Sequence, residues 1–159
     1  MIRHRLIRLI ESRSDELANE LLTRAKNSPH LSSFSRVPPG ELKQRVYEVY
    51  RNLGEWLINR TEEDIDIQYS AIGARRFRQG VPLSELIWAI ILTKDNLWNF
   101  LSRESFPGFE MEVLAEHDMF RMIDRFFNHA VYHAARGYEE AACAALPLEA
   151  DALLLRKSA

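Results

Sequence analysis

His129 and His133 stand four residues apart in a stretch whose apolar residues recur at helical spacing. On a helix that spacing sets both imidazoles on one face, where they can reach a single metal ion or a haem iron. The neighbouring residues do not complete a known metal signature. A zinc hydrolase needs a glutamate directly after the first histidine, and Ala130 stands there. The Glu-x-x-His motif of di-iron bundles needs a carboxylate three residues before a histidine, and Phe126 and Ala130 hold those places. Helix packing is therefore the first expectation for the pair, with His129 and His133 kept as metal candidates. His133 falls near the centre of the apolar stripe, between Ala130 and Gly137, where a half-buried imidazole can act as a pH or ligand switch.

Two cations also fall on apolar stripes. Arg76 continues the line of Ile65, Tyr69 and Ile72, and Lys94 that of Leu83, Leu86, Ile87, Ile90, Leu97 and Leu101. An unpaired buried charge is expensive. Both stems are expected to cover apolar surface while their heads reach solvent or a carboxylate such as Asp124. The sharper alternative is a pocket between helices in which Arg76 and Lys94, with His133, bind a carboxylate or phosphate ligand.

Nucleophilic and nucleotide chemistry find no footing. Cys143 sits among alanines without a neighbouring base, and the chain has no Gly-x-Ser-x-Gly turn, P-loop or dinucleotide fingerprint. The run Arg75-Arg76-Phe77-Arg78 alternates basic and aromatic groups, but a solvated helix face accounts for it, and no helix-turn-helix pair is evident. The expectation is a protein that is not an enzyme, has no catalytic residues, needs no cofactor and binds no nucleic acid. A small helical haem- or metal-binding protein is the alternative.

The elements that must position these residues are helices. Strand-like alternation is absent, and the apolar spacing predicts a single-domain all-α bundle of about five helices. The first covers about residues 2–26, with a break near Ser12 to Ser14 where serine can cap a second piece. Pro29, Pro38, Pro39 and four serines mark 27–40 as a loop. A second helix over about 39–60 carries the stripe Leu42, Val46, Val49, Tyr50, Leu53, Trp56 and Leu57. Thr61 and the acids Glu62, Glu63 and Asp64 open a third, which ends at Gly80. The fourth starts at Val81-Pro82-Leu83-Ser84 and is covered on more than one side. After a turn at 105–109, a long helix runs over about 110–145, where Pro147 stops it. Residues 1–145 are read as the helical domain and 146–159 as a short tail. The far end of the long helix projects, with Ala134-Ala135 and Ala141-Ala142 offering small residues for close helix contact.

At 159 residues, 47% hydrophobic and 28% charged, the chain has the composition of one packed domain. Residues 1–80 carry 14 Lys and Arg against 11 Asp and Glu, and residues 81–159 carry 7 against 12. This asymmetry fits pairing between helices better than a phosphate-binding surface. One cysteine excludes an internal disulfide, and no segment approaches the roughly 18 uninterrupted apolar residues of a membrane span. A cytoplasmic protein without membrane insertion is expected.

The segment Ile72-Gly73-Ala74-Arg75-Arg76-Phe77-Arg78-Gln79-Gly80-Val81-Pro82-Leu83-Ser84-Glu85-Leu86 resembles the centre of the RsbT co-antagonist RsbRD N-terminal domain family. Ile87 to Leu101, with Lys94, Leu97 and Trp98, is similar to that family's next helix, and Phe126-Phe127 through Arg136-Gly137-Tyr138 to its last. The likeness spans about Leu17 to Tyr138. It implies an all-helical input module of bacterial signal transduction, attached to outputs such as histidine kinases, anti-sigma-factor antagonist domains or transcription regulators, and it implies no reaction. About twenty residues follow Tyr138, so the expectation is a stand-alone member or a piece of a larger protein, a homodimer acting through a protein partner or an attached output domain.

Overall fold

The computed structural model describes residues 2–104 and 110–157, so the turn expected at 105–109 lies outside the described residues. The described residues form eight helices and no strand, against the about five expected. They are α1 (Ile2–Ser12), α2 (Ser14–Asn27), a 3-10 helix (Pro29–Arg36), α3 (Pro39–Arg51), α4 (Leu53–Ile58), α5 (Glu62–Arg78), α6 (Leu83–Arg103) and α7 (Glu110–Lys157). The count rises because two expected helices are each split and one expected loop is helical.

The first split falls at Arg13, whose φ of −109° and ψ of 22° leave helical geometry. Its position matches the expected break, but serine does not cap α2. Ser12 Oγ instead donates to the Leu9 carbonyl at 2.9 Å, which also accepts from Arg13 N at 3.1 Å. The second split, at Asn52, sets α4 against α1. Gly54 makes that approach possible, since a Cβ there would meet Ile7 Cγ2 at 2.5 Å, and its N–H donates to Glu11 Oε1 at 3.0 Å.

The Pro- and Ser-rich stretch is the 3-10 helix rather than a loop. Ser28 caps it by accepting the His30 N–H at 3.3 Å. Leu31, Phe34 and Val37 recur every three residues, the 3-10 period, and all three are buried with Val81 against Trp88, Ala89 and Leu92 of α6. Glu85 ties the segment down, accepting from Ser33 N at 2.9 Å and Ser33 Oγ at 3.0 Å. This small cluster covers a second side of α6.

The larger cluster joins α1 through α7, with Tyr50, Leu53, Leu97, Phe100, Met119 and Ile123 among its fully buried side chains. A fully buried polar group, Asn96, sits inside it. Asn96 Nδ2 donates to the Leu17 carbonyl at 3.0 Å and to Tyr50 Oη at 3.2 Å, and Tyr50 Oη donates to the Thr93 carbonyl at 2.9 Å. Burial pushes the Tyr50 phenol pKa well up.

α5 starts with a reciprocal capping box. Thr61 Oγ1 accepts from Asp64 N at 3.3 Å, and Thr61 N donates to Asp64 Oδ2 at 2.8 Å. Gly80, at φ 74°, supplies the left-handed turn into α6.

α5 packs along α7 more extensively than any other two elements pair. Glycines set the spacing. A Cβ on Gly73 would meet the Tyr138 backbone nitrogen at 2.8 Å, and one on Gly137 would meet Ser70 Cα at 2.5 Å. Tyr138 Oη also donates to the Val81 carbonyl at 2.7 Å, and its ring meets Phe77 edge-on at 5.4 Å.

α7 is 48 residues long and continues through Pro147 to Lys157 instead of stopping there. Proline removes one intrahelical hydrogen bond, but the stretch after it is rich in Leu and Ala, strong helix formers that favour continuation. At 1.5 Å per residue α7 spans about 72 Å, far beyond the roughly 15 Å radius of gyration of a compact domain this size.

Candidate functional site

α5 and α7 bring together carboxylates and imidazoles at matched spacing. Glu62 and Asp66 are one turn apart on α5, opposite His129 and His133, one turn apart on α7. Glu62 Oε1 lies 3.1 Å from His129 Nδ1 and 3.5 Å from His133 Nε2. Asp66 Oδ1 lies 3.3 Å from His133 Nδ1. His133 is only 5% exposed, and neither of its ring nitrogens forms an aligned hydrogen bond, although both have carboxylate oxygens nearby.

Asp66 is itself held in place. Ser70 Oγ donates to it at 2.6 Å, and Arg136 Nη2 reaches both of its oxygens, at 2.7 and 2.9 Å. The Ser70 hydroxyl chiefly, followed by the Arg136 charge, holds the Asp66 pKa below its ordinary value. His129 and Glu62 border a groove of about 310 Å³ that opens between Trp56, Thr61, Met122 and Arg125.

The other candidates lie elsewhere. Arg76 is buried, and its Nη1 donates to Glu41 Oε1 and Gln79 Oε1, each at 2.7 Å. Arg75 adds two bonds to the same carboxylate, at 2.6 and 2.8 Å. Arg75 first, with Arg76 and Gln79, pulls the Glu41 pKa down to about 2. The Arg76 stem borders an apolar cavity of about 80 Å³ lined by Leu21, Phe34, Val46, Ile90 and Phe127. Lys94 Nζ sits 3.7 Å from Asp124 Oδ1, the carboxylate expected from the sequence, and does not line that cavity. Arg76, Lys94 and His133 thus have separate carboxylate partners, while His129 and His133 come together.

Sequence reasoning missed Glu62 and Asp66 as partners of the histidines and Glu41 as the partner of Arg76. On sequence alone Glu62 is only an acid suited to a helix start. The signal available was the shared four-residue spacing of Glu62–Asp66 and His129–His133, which becomes meaningful only once α5 is known to lie along α7.

Residues 14–149 match the family model described as RsbT co-antagonist protein rsbRD N-terminal domain. The chain belongs to this family of regulatory signalling domains. No curated protein and no solved structure matches it. Among the described residues no helix is long and apolar enough to cross a membrane.

Proposed function

We propose that the chain is a non-catalytic sensory or regulatory input module of bacterial signal transduction, of the histidine-kinase or stress-response type, that works in the cytoplasm by helix-mediated protein association. Family membership over residues 14–149 is the observation that carries the reading. α7 is the natural transmitting element, because its middle is tied to α5 through Gly73 and Gly137 while its far end reaches beyond the bundle. The association is homodimeric and uses the α5–α7 side. Of the four large apolar side chains left exposed among the described residues, Ile67 is on α5 and Tyr132 and Leu146 are on α7.

Two measurements test this. Native mass spectrometry of the full chain is expected to show a dimer that Ile67→Glu with Tyr132→Glu converts to monomer; a wild-type monomer removes the homodimer. Transcript profiling of an in-frame deletion strain under heat and osmotic stress is expected to show an altered stress response. An unchanged response under both removes the stress-response role.

A further inference from the structure

We propose that Glu62, His129 and His133 form a binding site for a divalent transition-metal ion of the zinc class, built across the α5–α7 pair. The site goes beyond the regulatory reading and does not depend on it. One ligand atom from each residue lies within 4.8 Å of the others. Two ligand atoms on a tetrahedral zinc, each about 2.0 to 2.2 Å from the ion, stand roughly 3.3 to 3.5 Å apart. The two edges that meet at Glu62 Oε1 measure 3.1 and 3.5 Å, and three metal bonds need the two imidazole nitrogens to close to a similar spacing by side-chain rotation.

The carboxylate missing from α7 beside either histidine is thus supplied from across the interface. Two imidazoles and one carboxylate, with no thiolate, suit zinc and its neighbours in the first transition series.

His133 gives the independent observation. A nearly sealed imidazole whose two nitrogens form no aligned hydrogen bond is costly in a protein interior. A metal bond to Nε2 gives that nitrogen a partner, and Nδ1–H then turns to Asp66, 3.3 Å away. A carboxylate behind a ligating histidine fixes its tautomer and raises its basicity. Asp66 is oriented for that task by Ser70 and Arg136, which also balances its charge. The groove beside Glu62 and His129 leaves the ion's fourth position open to water. Arg60 and Arg125 line the same groove, and Arg60 lies 3.7 Å from Glu55, which offsets its repulsion of a cation.

Isothermal titration calorimetry of zinc chloride into the EDTA-stripped full chain at neutral pH tests the site. The expected result is one ion per chain with a Kd of about 10 μM or tighter. Glu62→Gln and His129→Gln alter side chains that are not sealed in the core, so circular dichroism can confirm their folds. Each is expected to weaken binding at least about tenfold, and Asp66→Asn to weaken it about tenfold through His133. Cys143→Ser and His30→Gln are expected to leave it unchanged. A wild-type Kd weaker than about 10 μM overturns the proposal. So does a loss below about tenfold in either ligand variant, or binding that Cys143→Ser abolishes.

Discussion

Replacing Gly137 with alanine tests the close backbone approach of α7 to α5. Alanine is the better helix former, and in an open helix position the change would stabilise by about 0.5 to 1 kcal/mol. Here the added methyl meets the Ser70 backbone, with Cα at 2.5 Å, whereas ordinary van der Waals contact begins near 3.4 Å. Backbone cannot rotate aside as a side-chain end can, so α5 and α7 must separate by about 1 Å or more. Overpacking of this kind costs about 1 to 3 kcal/mol. Since α5–α7 is the largest pairing in the fold, the upper half of that range applies, and a net loss of about 1 to 2 kcal/mol remains. For a chain of this length that lowers Tm by about 2 to 8 °C. Gly40→Ala is the internal control, because a Cβ there meets nothing within 4 Å. It is expected to hold Tm constant or raise it. Thermal unfolding followed by circular dichroism at one protein concentration reads both variants. A Gly137→Ala protein as stable as wild type would refute the backbone contact between α5 and α7.

The remaining predictions concern polar groups that bridge helices. Glu41 is held at about 2 against an ordinary 4.5, a depressed carboxyl pKa, so its stabilisation is present above pH 4.5 and is lost as pH falls toward 2. That difference corresponds to about 3 kcal/mol before screening, of which about 1 to 2 kcal/mol survives at a partly exposed carboxylate. Glu41→Gln is therefore expected to destabilise the protein by that amount at pH 7 in urea unfolding, and by less than half as much at pH 3. An equal deficit at both pH values would show that the loss is not that of the charge. Tyr50→Phe removes the donor to the Thr93 carbonyl and the acceptor for Asn96, and is expected to cost about 1 to 2 kcal/mol with the fold intact, read by urea unfolding. A neutral result would mean that these two bonds contribute no net stability.

The helices were legible because apolar spacing of three and four residues runs through nearly the whole chain, and the α5 start was legible down to its capping threonine. Two kinds of feature were not. The split at Asn52 is a change in two dihedral angles, to which composition responds weakly, whereas the break at Arg13 falls where the shift of the apolar stripe places it. The 3-10 helix was hidden because Pro29 and four serines resemble loop composition, although Leu31, Phe34 and Val37 already carried the period of three. In the site, the histidine pair was visible from its spacing, but Glu62 and Asp66 are about 65 residues away in sequence. Only the glycine-mediated approach of α5 to α7 turns two unrelated four-residue spacings into one cluster. Arg76 was legible as an oddly placed cation, whereas its partner Glu41 lies on another helix, beyond the reach of local pattern.

The small cluster of Leu31, Phe34, Val37 and Val81 stands beside the larger one as a second part of the interior, with Leu42 and Leu92 packed against both. The 80 Å³ cavity lies along their boundary, with Leu31 and Phe34 on one wall and Val46, Tyr69 and Phe127 on the other. Residues 29–37 are a short 3-10 segment held to α6 mainly by Glu85 and by three buried side chains, so local opening is expected there before the long helices open. Their amides should exchange with solvent deuterium faster than those of α6. The hollow is already partly open, so lifting of the segment would widen it at this boundary while the larger cluster stays packed.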